Sequence, residues 1–161
     1  MHYPIWYGKV STFFTRHPFY LRLLRLYNRC FSILVALMYG VFLFLTRTGP
    51  TGVYLWLPAS GFFLLSFIRK QLDYPRPYEV WNITPLLMRE GQGEVMPSRH
   101  VFSATIISMV ILQGSTMLGS ILLVLSLGLA VVRVLGGVHY PKDVMVGYLM
   151  ALIWGSIFYL F

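Results

Sequence analysis

Charge is scarce in this chain. Asp, Glu, Lys and Arg make up 11% of 161 residues, against about 25% in an average soluble domain. With 57% hydrophobic residues, that excludes an ordinary soluble domain and argues for an integral membrane protein. Acids are scarcer still: five Asp and Glu face thirteen Lys and Arg, a formal net charge of +8. In a soluble protein such a surplus would raise nucleic acid as a partner. Here the basic residues form no compact run and no nucleic-acid motif is present, so anionic lipid headgroups are the natural partner. The single cysteine, Cys30, excludes an internal disulfide and leaves the redox compartment open. No cleavable signal peptide is evident: the first 26 residues are basic and aromatic, without a continuous apolar stretch or small-residue cleavage site. No repeat or low-complexity segment is apparent, and the length fits one domain over 1–161.

What the chain has in quantity is long apolar runs. Five membrane spans are expected, roughly over 30–46, 53–68, 98–113, 117–134 and 142–161. Pro58 and Gly61 fall inside the second and are tolerated there, as spanning helices often carry them. That span is a little short, so its helix is expected to run on into Arg69 and Lys70. Arg47 through Gly52 is a run of turn residues. Residues 1–27 mix aromatics with Lys9, Arg16, Arg22 and Arg25, which describes an amphipathic helix lying on the bilayer, broken near His17-Pro18. Residues 28–161 would be the transmembrane core. The fold expected is therefore all-α: a polytopic membrane bundle of about five helices plus an N-terminal interfacial segment.

Three polar islands interrupt the apolar runs: Arg69-Lys70 to Arg76-Pro77, Pro97-Ser98-Arg99-His100, and Arg133 through His139 to Asp143. Ionisable groups at the edge of a spanning segment are costly and mark function by default. An even number of crossings separates each pair of islands, which sets all three on one side of the membrane. Between the first two lies a long polar loop, 71–99, with Asp73, Glu79, Glu90 and Glu94, able to act as a lid or simply to connect. Arginine forks, a serine and a helix N-terminus make an oxyanion cradle. His139 and Asp143 are four apart and can share a helix face, so Asp143 can hold one imidazole N–H while the other nitrogen attacks phosphorus. His100 could protonate the departing oxygen. Each residue alone has a plainer reading. A histidine near a helix end packs or caps, an arginine at a membrane edge snorkels, and an aspartate N-caps. Three islands on one face outweigh those readings taken singly.

With these residues in view, the chain resembles the type 2 phosphatidic acid phosphatase superfamily of membrane lipid phosphatases. The signature's first part is Lys, six residues, Arg-Pro, met here by Arg69 and Arg76-Pro77. Its second is Pro-Ser-Gly-His, here Pro97-Ser98-Arg99-His100. Its third is Ser-Arg, five residues, His, three residues, Asp, here Val132-Arg133, His139 and Asp143. The resemblance implies a helical membrane fold and a phosphatase that needs neither metal nor other cofactor. His139 would be transiently phosphorylated, Asp143 would orient it and His100 would be the general acid. Arg69 (or its neighbour Lys70), Arg76, Ser98, Arg99 and Arg133 would hold the phosphate of a membrane lipid, Arg99 at least through its backbone N–H.

Three departures bear on substrate preference. Arg69 stands for lysine and keeps the charge with a different geometry. Arg99 stands for glycine, crowding the pocket or adding a cation suited to a diphosphate. Val132 stands for serine, an expected loss of one phosphate donor. Isoprenyl or undecaprenyl diphosphate, phosphatidic acid and phosphatidylglycerophosphate are the substrates to weigh. A non-catalytic lipid-phosphate binder or transporter, or a lipid phosphotransferase, are the alternatives. Twelve of the thirteen Lys and Arg lie on the islands' side, which the positive-inside bias would make cytoplasmic. The resemblance implies a multi-pass cell-membrane protein with its site at the extracytoplasmic face, and that facing is the one expected here.

Overall fold

A computed structural model describes residues 3–48 and 51–160. Helix α1 (Tyr3–Arg16) leads into α2 (Pro18–Leu45), α3 (Thr51–Leu72) and a single turn, α4 (Pro77–Val80). Then come α5 (Arg99–Gly114), α6 (Thr116–Leu135) and α7 (Pro141–Gly155), which tightens into a 3-10 turn at Ser156–Leu160. Among the described residues there is no strand, and the fold is an all-α membrane bundle. The turn expected at 47–52 falls partly on residues 49 and 50, outside the described residues.

Helix α5 is the hub. It packs against α2, α3, α6 and α7, and its buried residues lie on all its faces. Phe31 and Val35 of α2 meet Ala104 and Ile111 of α5 and Leu122 and Leu129 of α6 in one apolar cluster. Leu65 of α3 and Ala151 of α7 close on Phe102 and Ile106 from the other side. Because protein rather than lipid surrounds it, α5 can carry Thr105 and Ser108. Thr105 Oγ1 donates to Ser126 Oγ of α6 at 3.2 Å, and Ser108 Oγ to the Ala104 carbonyl at 2.7 Å. The outer helices turn Leu37, Phe44, Trp56, Phe63, Val124 and Ile153 outward, as a lipid-facing belt requires.

One expectation needs adjusting: by length and composition alone, four of the five expected spans qualify to cross a membrane, Pro18–Leu45, Gly52–Val80, Thr116–Leu135 and Pro141–Leu160. The fifth, α5, has 16 residues, about 24 Å of rise, and is sheltered by the others. Residues 18–27 are continuous with the first span, since α2 runs unbroken from Pro18. Its first turns are tied inward, Arg25 Nε donating to the Leu86 carbonyl at 3.0 Å and Tyr27 Oη to the Leu125 carbonyl at 2.6 Å. The break at His17-Pro18 and the run of α3 through Arg69 and Lys70 are as expected. Pro58 leaves the Tyr54 carbonyl without its helical donor, and the Tyr39 hydroxyl of α2 supplies one at 2.8 Å.

Candidate active site

At one end of the bundle a cavity of about 510 Å³ opens between α2, α3 and α5. Arg69, Arg76, Glu90, Arg99, His100 and His139 line it, with Val35, Ala36, Phe62, Ala104 and Ile107 continuing the wall between the helices. All three sequence islands contribute.

The last turn of α3 delivers Arg69, which is buried. Its Nη1 donates to the Val95 carbonyl at 3.3 Å and to the Pro97 carbonyl, bracing the segment before Ser98. Lys70, one position on, is exposed and absent from the cavity wall. It does not join the cradle, because one step along a helix turns a side chain about 100° away. Arg76 precedes α4. Its backbone N–H is held by Glu79 Oε2 at 2.5 Å, while its Nε reaches the Gly93 carbonyl at 3.3 Å. Arg133, in the last turn of α6, is fully buried. Arg99 is exposed at the cavity rim.

Ser98 begins α5 and is buried. Its Oγ lies 3.2 Å from His139 Nε2, and its N–H donates to the Asp143 carbonyl at 3.0 Å, tying the second island to the third. The approach depends on Gly147, where a Cβ would sit 2.8 Å from the Ser98 carbonyl oxygen. His139, on the loop between α6 and α7, is 1% exposed. Burial first, then the charges of Arg133, Arg76, Arg69 and His100, hold its pKa well below the usual imidazole range. Both effects favour the neutral ring. His100, in the first turn of α5, stands at the mouth with its ring 42% exposed.

Asp143 shares the face of His139, but its first task is the plainer one. Oδ2 caps α7 by accepting the Tyr140 N–H at 2.7 Å. His139 Nδ1 lies 3.7 Å from the same oxygen, beyond a hydrogen bond. Both Nδ1 and Asp143 Oδ1 are buried without a hydrogen-bond partner, and an approach of under ~1 Å would bring Nδ1 within hydrogen-bond reach of Oδ2. Val132 corrects another expectation. It packs with Leu24, Leu87 and Val138, so the serine it replaces is missing from an apolar cluster, not from the cradle.

Three contributors were not found from sequence. Glu90 sits among the cations, its carboxylate forked onto Arg133 and within 3.3 Å of Arg76. Asn28 of α2 accepts from Arg133 Nη1 at 3.4 Å. Tyr7 of α1 is buried under the loop that carries His139: it accepts the Leu86 N–H at 3.0 Å and donates to the Gly136 carbonyl at 3.4 Å. Gly137, at φ +75°, makes room for its ring. Of these only Glu90 left a signal, as one of five acids in a chain rich in cations.

The sequence model of the PAP2 superfamily matches residues 50–161, the stretch that holds every cation and histidine just described except the α1 and α2 contacts. The chain belongs to the PAP2 superfamily. It is similar in fold to the crystal structure of Aquifex aeolicus LpxE, with TM-score 0.62 and 20% identity over 88% of this chain and 94% of that one. It is also similar to the first transmembrane PAP2-type phosphatidylglycerolphosphate phosphatase from Bacillus subtilis. There the TM-score is 0.68 and the identity 19%, over 88% of this chain and 75% of that one. Among curated proteins none matches by sequence. This PAP2 chain thus has the family's transmembrane helical architecture, with its three motif segments gathered at one cavity.

Proposed function

We propose that this protein is a membrane lipid phosphatase that removes a terminal phosphate or diphosphate group through a phosphohistidine intermediate. One observation carries the reading: a single cavity has a cationic half with two histidines and an apolar half that runs between helices. An amphiphile fits such a site, its headgroup among Arg69, Arg76, Arg99 and Arg133 and its chain against Val35, Phe62 and Ile107.

In the reaction, neutral His139 attacks phosphorus through Nε2 once the Ser98 hydroxyl, 3.2 Å away, turns from that nitrogen to a phosphate oxygen. Asp143 takes the Nδ1–H and stabilises the cation that forms. The P–O bond to the lipid breaks, its electrons leave with the oxygen, and His100 gives that oxygen a proton. Water then attacks the phosphohistidine, His100 takes the water's proton, and inorganic phosphate leaves with His139 restored. No step calls on a metal, and turnover is expected to survive EDTA. By family analogy the site faces the extracytoplasmic surface of the cell membrane.

The test is phosphate release by detergent-purified protein from an isoprenyl diphosphate, phosphatidic acid and phosphatidylglycerophosphate side by side. At least one is turned over by the wild type and none by His139→Ala. Equal release by both proteins contradicts the mechanism. Tight binding across the panel with no release would make the protein a lipid-phosphate binder, and transfer to an added alcohol in preference to water a phosphotransferase.

A further inference from the structure

Glu90 occupies the middle of the cradle, and the reaction above makes no use of it. Oε1 accepts from Arg133 Nη1 at 2.5 Å, and Oε2 pairs with Nη2 of the same guanidinium. Oε2 also accepts from Arg76 Nη1 at 3.3 Å, and Oε1 lies 3.8 Å from His100 Nδ1. Two oxygens spread over two guanidinium groups and an imidazole are the contacts that phosphoryl oxygens make.

The surrounding loop holds this carboxylate in place. The Glu90 N–H donates to the Tyr78 hydroxyl at 3.2 Å, and that hydroxyl donates to the Gly91 carbonyl at 2.7 Å. Arg89 covers the Tyr78 ring at 5.5 Å, and the Gly93 N–H is held by both Glu79 oxygens at 3.0 and 3.1 Å. Gly91 at φ +102° and Gly93 at φ +59° turn the chain where other residues would be strained. Burial pushes the Glu90 carboxyl up, but the hydrogen bonds and charge of Arg133, with His100 and Arg76, outweigh it and hold it at about 2. It is a fixed negative charge at any ordinary pH.

We propose that Glu90 determines specificity: it is a resident carboxylate that a dianionic terminal phosphate displaces from Arg133 and Arg76 and a monoanionic phosphodiester does not. A diester replaces one negative charge with another and gains nothing electrostatically. A terminal phosphate brings about −1.5 to −2 near neutral pH. In a bilayer, where phosphodiester headgroups vastly outnumber terminal phosphates, such a filter keeps bulk phospholipid out of the cradle. The inference rests on the phosphatase reading for the direction in which substrates arrive.

Calorimetric titration of the purified full chain with inorganic phosphate and with dimethyl phosphate, at pH 8, tests it without turnover. The wild type binds inorganic phosphate and gives no measurable titration with dimethyl phosphate. In Glu90→Gln, which keeps the shape and removes the competing charge, both ligands bind about tenfold or more tighter, and dimethyl phosphate becomes measurable. Glu90→Asp keeps the charge but shortens the reach, and tightens both ligands severalfold; it serves if Glu90→Gln leaves Arg133 too poorly paired to fold. Unchanged affinities in a folded variant overturn the filter, as does weakening of both ligands, which would mean that Glu90 only braces the arginines. A wild type that hydrolyses no lipid phosphate at all sinks the phosphatase reading instead, and leaves these titrations interpretable.

Discussion

A buried imidazole ringed by arginines resists protonation, since desolvation and the facing charges both disfavour the cation. For His139 the sign is downward from the usual 6.5. Its neutral form therefore persists as pH falls through 6.5, and its charged form appears only well below that. NMR titration of ring-labelled histidine should show His139 staying neutral where an exposed histidine is half-protonated; a midpoint near 6.5 would contradict the burial and charge argument. Asp143 separates two roles at the same scale. Asn at this position retains an oxygen for the Tyr140 N–H but cannot stabilise an imidazolium. Asp143→Asn should lower kcat by about 100-fold or more while changing stability by less than about 1 kcal/mol. Asp143→Ala should lose the cap as well. Comparing kcat and Tm for the two variants checks this, and equal kcat in wild type and Asp143→Asn would reduce Asp143 to a helix cap.

Among the elements, α1 is the least expected contributor to the site. Its Tyr3 ring lies 5.0 Å from that of Tyr140, and its Tyr7 hydroxyl joins Leu86 to Gly136. The helix therefore clamps the loop from which His139 projects. Tyr7→Phe keeps the ring and removes the hydroxyl's bonds, at a cost of about 0.5–1.5 kcal/mol, since the Leu86 N–H keeps the Gly136 carbonyl at 3.0 Å. It should lower Tm and reduce kcat severalfold with KM little moved, because it loosens the nucleophile and touches no substrate. A wild-type kcat would remove α1 from the account. How much of this was legible follows from where each signal sits. The α3 extension, the α5 start at Ser98 and the meeting of the islands are written in local runs and in the parity of crossings. The length of α2 was not, because Arg22 and Arg25 read as interfacial until the tie of Arg25 to the Leu86 carbonyl is seen. The enclosure of α5 was not legible either, since the residues that shelter it come from four other helices. Glu90 lies 43 positions from Arg133, a separation over which charge patterning along the chain is silent. Lys70 and Val132 were misread because motif position alone does not say which way a side chain points.

For the whole molecule, the arrangement is a greasy bundle with a polar cup at one end. Apolar side chains cover the outside, and the cavity wall passes from arginines to Val35, Phe62 and Ile107 without a break. That continuity lets a lipid keep its chain among the helices while its phosphate reaches His139, which connects the fold to the proposed reaction. The most direct measurement is rapid quenching of the wild type and His139→Ala with a lipid substrate labelled in its terminal phosphate. The account predicts a transient protein-bound phosphoryl group, labile in acid and stable in base, on the wild type and none on His139→Ala. The same labelling in both proteins, or undiminished phosphate release by His139→Ala, would contradict it.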